Sequence, residues 1–106
     1  MAAKLIALYT QPENPEAFDK AYFETHMPLV HKIPGLKSVS ATKVKANLMG
    51  GAIPYYMIAE LVFDSMEALQ AGLASPEGKA AGANVMGFAA KNITMLTAEE
   101  PVLTAV

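Results

Sequence analysis

The sequence of 106 residues contains no cysteine and no arginine. Without cysteine the chain has no disulfide framework, thiolate metal site or thiol nucleophile, and we expect a cytoplasmic protein. All eight basic residues are lysines, and the net charge is −2. Because no arginine is present to grip phosphate and no basic run follows a nucleic-acid backbone, we expect no nucleic-acid partner.

Long hydrophobic runs are also absent, so the sequence predicts no membrane span, and residues 1–6 lack the pattern of a secretory signal. No glycine-rich loop follows a predicted strand, and we therefore expect no nucleotide cofactor. We expect no metal site and no other cofactor, because His26 and His31 fall on different sides of one predicted helix and no third ligand is apparent.

Charged residues are scarce, at 17% of the chain, whereas hydrophobic residues make up 53%. An average soluble domain carries about 25% charged residues. A domain this small has a large surface for its volume. The composition therefore indicates a single domain over residues 1–106 whose surface is partly covered by a partner.

Four strands are predicted, at residues 4–10, 36–46, 54–63 and 92–97, and a loop with Gly50 and Gly51 joins the middle two. A helix is predicted from Pro15 to about residue 32, with Asn14 as its cap. Pro28 is expected to kink this helix or to tighten its second half. Its sheet-facing side is predicted to carry five residues, with His26 at the edge: Phe18, Tyr22, Thr25, Leu29 and Ile33.

A second helix is predicted to begin near Ser65 and to continue through Leu73. The glycines that follow it, at positions 78, 82 and 87, predict a weakly helical and irregular stretch. The residues from Glu99 onward are expected to form a loose end or an arm.

The element order β-α-β-β-α-β predicts an α+β protein with the ferredoxin-like arrangement, in which both helices cover one face of a four-stranded antiparallel sheet. Strands one and three carry apolar residues on both faces, so the uncovered face is apolar too. We expect two copies to bury these open faces against each other in a homodimer. The alternative is a monomer with a partly apolar exposed face, and the sequence does not decide which residues of the third strand would face the partner.

Several segments together resemble the EthD family, named for ethyl tert-butyl ether degradation, within the dimeric α+β barrel superfamily. The most specific are AYFETHMPLV at residues 21–30 and IPGLK at residues 33–37; residues 54–63, 65–69 and 75–78 follow the same pattern. The resemblance implies a homodimer with a pocket between sheet and helices, and an association with the oxidative degradation of small organic compounds and oxidoreductase activity. Where related proteins often carry an aspartate, this chain has Asn84, to which we assign no acid–base role.

His26 is the candidate for proton transfer, because its imidazole changes charge near neutral pH. Tyr22, four residues earlier on the predicted helix, can meet it as a second catalytic residue. Four aromatic residues are the substrate-binding candidates: Tyr9, Phe18, Tyr55 and Tyr56. The alternative interpretation makes His26 a histidine at the edge of the core and the tyrosines ordinary core aromatics.

Two acids also have alternative interpretations. Asp19 could extend the polar group around Tyr22 or lie in solvent, and Glu60 could titrate in a pocket or pair with a lysine at the interface. The function that these residues favour is a pocket for an apolar small molecule, with cofactor-independent acid–base or oxygenation chemistry centred on His26. A non-catalytic carrier and an accessory subunit of a neighbouring oxygenase are the alternatives, so whether the protein is an enzyme stays open.

Overall fold

A computed structural model describes residues 1–100 of the chain. The helices and strands run in this order: β1 Ala3–Thr10, α1 Pro15–Lys20, a π-helical segment Ala21–His26, α2 Met27–Val30, β2 Leu36–Lys43, β3 Tyr55–Phe63, α3 Met66–Ala74, α4 Pro76–Ala89 and β4 Ile93–Glu99. Glu99 pairs with Ala3, and the Glu100 amide donates to the carbonyl of Ala2 at 2.8 Å. These two residues are therefore not loose, and the rest of the expected C-terminal arm lies outside the described residues.

The four strands form one antiparallel sheet in the order β2-β3-β1-β4, the topology that the element order predicts. Ala7 at the middle of β1 lies opposite Ala59 on β3 and Met95 on β4. Odd-numbered residues of β3, from Met57 to Phe63, are buried beneath the helices, whereas even-numbered ones are only half-buried. The α+β, ferredoxin-like fold is thus confirmed.

Helices α1 and α3 begin where the sequence predicts, because side-chain caps satisfy their first backbone amides. Asn14 accepts a hydrogen bond from the Ala17 amide at 3.1 Å, and Ser65 accepts one from Ala68 at 3.0 Å. Ser75 caps α4 by accepting from the Gly78 amide at 3.0 Å, with Pro76 in the first turn.

At Pro28 the sequence predicts a kink or a tightened second half of the helix, whereas the structure shows a wider turn before the proline. The preceding residues widen into a π-helical turn, in which the Met27 amide donates to the carbonyl of Tyr22 five residues earlier. Proline has no amide to donate, and its ring would clash with the carbonyl four residues back in a regular α-helix. A wider turn removes that clash, and such turns recur at functional sites.

The region from Gly78 to Gly87 is also more regular than predicted, since it lies within the 14-residue helix α4. Tertiary packing outweighs the low helix propensity of glycine here. Gly78 is required by contact, because a Cβ atom at this position would overlap the backbone of Gly72 and Leu73. Gly82 and Gly87 have open space where a Cβ would lie.

Candidate functional site

The π-helical turn decides which side chains of the first helical stretch reach the sheet. Positions four apart lie near one face of an α-helix but drift around it over several turns, and the wider π-helical turn reduces this drift. Phe18, Tyr22, His26 and Val30 are accordingly all buried. Thr25, predicted to lie on the buried face, is exposed, and His26 moves from the predicted edge into the buried row.

His26 is the one polar residue buried within the described part of the chain, with 6% of its surface exposed. Its Nδ1 atom lies 3.1 Å from Oδ1 of Asn84 on α4. The rings of Tyr22 and Phe88 lie beside it, at centroid distances of 5.3 and 6.0 Å. Burial lowers the pKa of His26, and the bond to Asn84 offsets only part of this effect, so the neutral imidazole is favoured at neutral pH.

Tyr9 on β1 lies against Tyr22, with their rings edge to face at 5.6 Å. Burial raises the pKa of Tyr22 to about 12 and raises the pKa of Tyr9 as well, so both hydroxyls stay protonated. Within residues 1–100 neither hydroxyl has a hydrogen-bond partner, and no fully enclosed side-chain polar atom is left without one. Both residues line a space between the sheet and the helices.

That space is a cavity of about 350 Å³ between the sheet and the helices, within the usual range for small-molecule sites. Its walls are mainly aliphatic and come from β1, β3, β4 and α4. The polar side chains that line it are Tyr9, Tyr22, His26 and Lys79. The cavity can take a small apolar molecule and can offer it two hydroxyl donors and one imidazole nitrogen.

A second cavity of about 410 Å³ lies between the β1–α1 turn and the end of α4. Phe18 lines this second cavity and not the one that contains His26. Its other lining residues, which include Glu13 and Lys91, are largely exposed. None of the residues that line it within the described range is a buried ionisable group.

Tyr56 belongs to a separate polar cluster with Asp19 and Lys43. The Tyr56 hydroxyl donates to Asp19 Oδ1 at 2.8 Å, and Lys43 Nζ donates to Asp19 Oδ2 at 2.6 Å and to the Tyr56 hydroxyl at 2.9 Å. Burial alone raises the pKa of Asp19, but the bonds from Lys43 and Tyr56 more than offset this and leave the pKa lowered. The structure thus gives Asp19 partners on β2 and β3, and not Tyr22.

The remaining candidates lie elsewhere. Tyr55 pairs with Thr10 at the end of β3, beside an irregularity in the strand register, and does not line the cavity. Glu60 is on the open face of the sheet, 3.5 Å from Lys4 Nζ, which is the lysine pairing that the sequence offered as one interpretation. His31 is exposed.

Of the six predicted site residues, His26, Tyr22 and Tyr9 line one cavity. Phe18 packs against Tyr9 and Tyr22, at ring centroid distances of 5.3 and 6.1 Å, without lining that cavity. Asn84 was missed as the partner of His26. The available signal was one amide in the largely apolar sequence of α4, one helical turn from Ala81 and from Phe88, where it shares their side of the helix. Within the described range, no group of three or more His, Asp or Glu side chains is arranged to hold a metal ion. No helix in that range is long and apolar enough to cross a membrane.

The family model that matches this chain is the EthD domain, over residues 10–92, and the chain belongs to this family. A relative from Rhodococcus erythropolis, an uncharacterised 11.0 kDa protein of the thcB–thcC intergenic region, is 41% identical over 101 residues, which is 94% of this chain and 97% of the relative. The crystal structure of an EthD family protein from Bacillus halodurans C-125 has a TM-score of 0.90 at 44% identity, over 95% of this chain and all of that one.

More distant structures share the fold. A dimeric ferredoxin-like protein of unknown function from Jannaschia sp. CCS1 has a TM-score of 0.68 at 18% identity, over 92% of this chain and 99% of its own. SnoaB, a cofactor-independent oxygenase from Streptomyces nogalater, has a TM-score of 0.69 at 12% identity, over 96% and 95% of the two chains. Dimeric ferredoxin-like proteins are therefore among the structural neighbours.

Proposed function

We propose that this protein binds a small, largely apolar organic molecule that carries one oxygen, such as a phenol or a ketone, in the cavity beside His26. The observation that carries the proposal is the pairing of an aliphatic cavity of about 350 Å³ with two protonated tyrosine hydroxyls and a neutral imidazole. Aliphatic walls favour an apolar ligand, while the three polar groups fix the place of its oxygen.

The chemistry that fits this arrangement is proton transfer. His26 takes a proton from the ligand's hydroxyl or from the carbon beside its carbonyl, and the electron pair of the broken bond stays on the ligand as a phenolate or an enolate. The hydroxyls of Tyr9 and Tyr22 donate to the resulting oxyanion. Isomerisation, cyclisation or reaction with oxygen begins from an anion of this kind. SnoaB, a cofactor-independent oxygenase with the same fold, supports the last of these.

Paired ligands test the binding site directly. 1-Naphthol and naphthalene have the same ring system and differ by one hydroxyl. We expect calorimetry to show that 1-naphthol binds at least tenfold more tightly than naphthalene, because only it can bond to the tyrosines and His26. Equal affinity for the two, or no binding of either, would contradict the proposal.

Two glycines of α4 provide a matched pair of variants. Gly82 lines the His26 cavity and Gly87 does not, and both have open space where a Cβ would lie. Gly82→Leu should fill the cavity and abolish 1-naphthol binding, whereas Gly87→Leu should leave it. Loss of binding in both variants, or in neither, would place the ligand somewhere else.

Native mass spectrometry of freshly purified protein separates the ways in which the site could be used. A co-purifying small molecule that is released unchanged indicates a carrier, and one that is converted indicates an enzyme. A protein that stays empty and binds neither test ligand fits an accessory subunit, and this outcome would overturn the proposal.

We also propose that two copies join through the open face of the sheet. The apolar residues there are Ile6 and Leu8 on β1, Ile58 and Val62 on β3, and Leu96 on β4, which is 49% exposed. The dimeric neighbours support this assembly. Light scattering should give about twice 11.2 kDa, and Ile58→Lys should dissociate the dimer while Gln70→Lys, on exposed α3 surface, should not. A wild-type monomer at micromolar concentration would contradict it.

A further inference from the structure

His26 and Asn84 form a hydrogen bond between two helical elements that are distant in the sequence. The two residues lie 58 positions apart, and the 3.1 Å bond between them joins the π-helical segment to α4. Among the described residues, Asn84 is the only side chain that forms a hydrogen bond with the buried imidazole. Asn84 is itself half-buried, and it does not line the cavity.

The chemistry of an amide oxygen determines the protonation of the ring. Oδ1 of Asn84 can only accept, so the His26 nitrogen that faces it must donate. A neutral imidazole carries one proton, and with that proton on Nδ1 the other nitrogen, Nε2, keeps its lone pair. We propose that Asn84 is a positioning residue that holds His26 as the Nδ1-protonated tautomer and so presents an unprotonated Nε2 to the cavity.

The amide of Asn84 differs from a carboxylate in its effect on the pKa of His26. A carboxylate in this place would hold the same tautomer, but its negative charge would stabilise the imidazolium and raise the pKa of His26. The amide orients the ring without adding a charge. The other ionisable groups that line the cavity are Tyr9 on β1, Tyr22 on the π-helical segment and Lys79 on α4, while β3 and β4 contribute none. No carboxylate among residues 1–100 lines the cavity, and this favours His26 as a neutral proton acceptor.

This inference rests on the proposed function for its purpose, but the tautomer can be measured without a ligand. Nitrogen-15 NMR of histidine-labelled protein distinguishes a protonated from an unprotonated ring nitrogen, and exposed His31 serves as an internal reference. In the wild type at pH 7.5 we expect His26 with Nδ1 protonated and Nε2 unprotonated. Protonation at Nε2 instead would overturn the inference.

Two variants separate positioning from packing. Asn84→Asp should keep the tautomer and raise the pKa of His26 by about one to two pH units, while Gln70→Glu, which adds the same charge on exposed α3, should not change it. Asn84→Leu should shift the tautomer towards Nε2–H. If Asn84→Leu fails to fold, Asn84→Asp still decides, since an unchanged pKa would show that Asn84 does not control the ring.

The two proposals fail in different ways. If His26 has the expected tautomer but the protein binds neither 1-naphthol nor naphthalene, the role of Asn84 stands and the proposed function is wrong. If the protein binds 1-naphthol but His26 is protonated at Nε2, the proposed binding site stands and the role of Asn84 is wrong.

Discussion

Two polar clusters lie a short distance apart along the first helical stretch, and they differ in how completely their atoms are bonded. In the cluster of Asp19, Lys43 and Tyr56, both carboxylate oxygens are engaged and each residue bonds to the other two. In the group of Tyr9, Tyr22 and His26, one bond, from His26 to Asn84, is made within the described residues. The first group is closed on itself and the second is open to a cavity.

The difference supports a structural role for the first group and the proposed ligand-binding role for the second. In the closed cluster both Asp19 oxygens, the Tyr56 hydroxyl and two of the three Lys43 N–H groups bond within the cluster, which joins α1, β2 and β3. An open group retains unused donors and acceptors inside an apolar cavity, where a bond to a ligand is worth more than in water. Each of the following changes affects one group and spares the other.

The largest contrast is expected from removing one hydroxyl in each group. Tyr22→Phe should weaken 1-naphthol binding about 10- to 100-fold, because a buried donor to the ligand is lost. Tyr56→Phe should change that affinity less than twofold. Calorimetry on both variants measures the contrast, and equal effects of the two substitutions would show that the clusters are not separate.

A smaller effect is expected on stability when the closed cluster is broken. Asp19→Asn should lower the free energy of unfolding by about 1 kcal/mol, because its charged bonds weaken at a site that is one-third exposed and screened by solvent. Glu24→Asn, an exposed acid of the same stretch, is the control. Urea unfolding measures both, and no difference between them would mean that the cluster contributes nothing to stability.

The two groups should also lose stability in different ranges of pH. Folding lowers the pKa of His26 below 6.5, so the unfolded chain binds its proton first, and stability falls as pH drops below about 6.5, by at most about 1.4 kcal/mol per pH unit. Folding lowers the pKa of Asp19 below 3.8, so its contribution is lost only below that pH. Thermal melting from pH 8 to 3 should show both ranges.

Matched variants assign each range to its group. His26→Gln should flatten the dependence of melting temperature on pH between pH 6.5 and 5, and His31→Gln should not. Asp19→Asn should lower the melting temperature at neutral pH and should flatten its dependence on pH only near pH 4 and below. A slope that persists between pH 6.5 and 5 in His26→Gln would disprove the assignment.

The smallest effect is expected from a small change in the volume of the His26 cavity. Gly82→Ala and Gly87→Ala should each stabilise α4 by about 0.5 to 1 kcal/mol, since alanine is the better helix former and both positions are sterically open. Only Gly82→Ala should alter 1-naphthol affinity. Destabilisation by Gly82→Ala would indicate that this position is packed more tightly than the structure has it.

The fold was predictable because its signals are local. Asn14 and Ser65 begin helices with caps, Gly50 and Gly51 open the hairpin at positive φ, and the element order leaves one simple arrangement of sheet and helices. The regularity of α4 was not predictable from its glycines, which have a low helix propensity. The packing of Ala81, Val85 and Ala89 against the rest of the fold outweighs that propensity.

The candidate site was predictable in part. His26 and Tyr22 stand out because ionisable and aromatic residues are four apart on one helix. The local sequence does not distinguish Tyr9 from Tyr56, since both are tyrosines on predicted strands. In the structure Tyr9 lines the cavity, whereas Tyr56 bonds to Asp19. Pro28 predicts a disturbed helix, but whether the turn tightens or widens depends on how the helix packs against the neighbouring elements.

The sequence by itself determined the element order, the helix caps, the apolar excess on two strands and the membership of His26 in a helical stretch beside the sheet. Only the tertiary structure decided that the helix widens before Pro28, that His26 is buried in the central row, and that Asn84 reaches it from 58 residues away. Caps and periodicity act over a few neighbouring residues, whereas a hydrogen bond between distant helices exists only after the chain has packed.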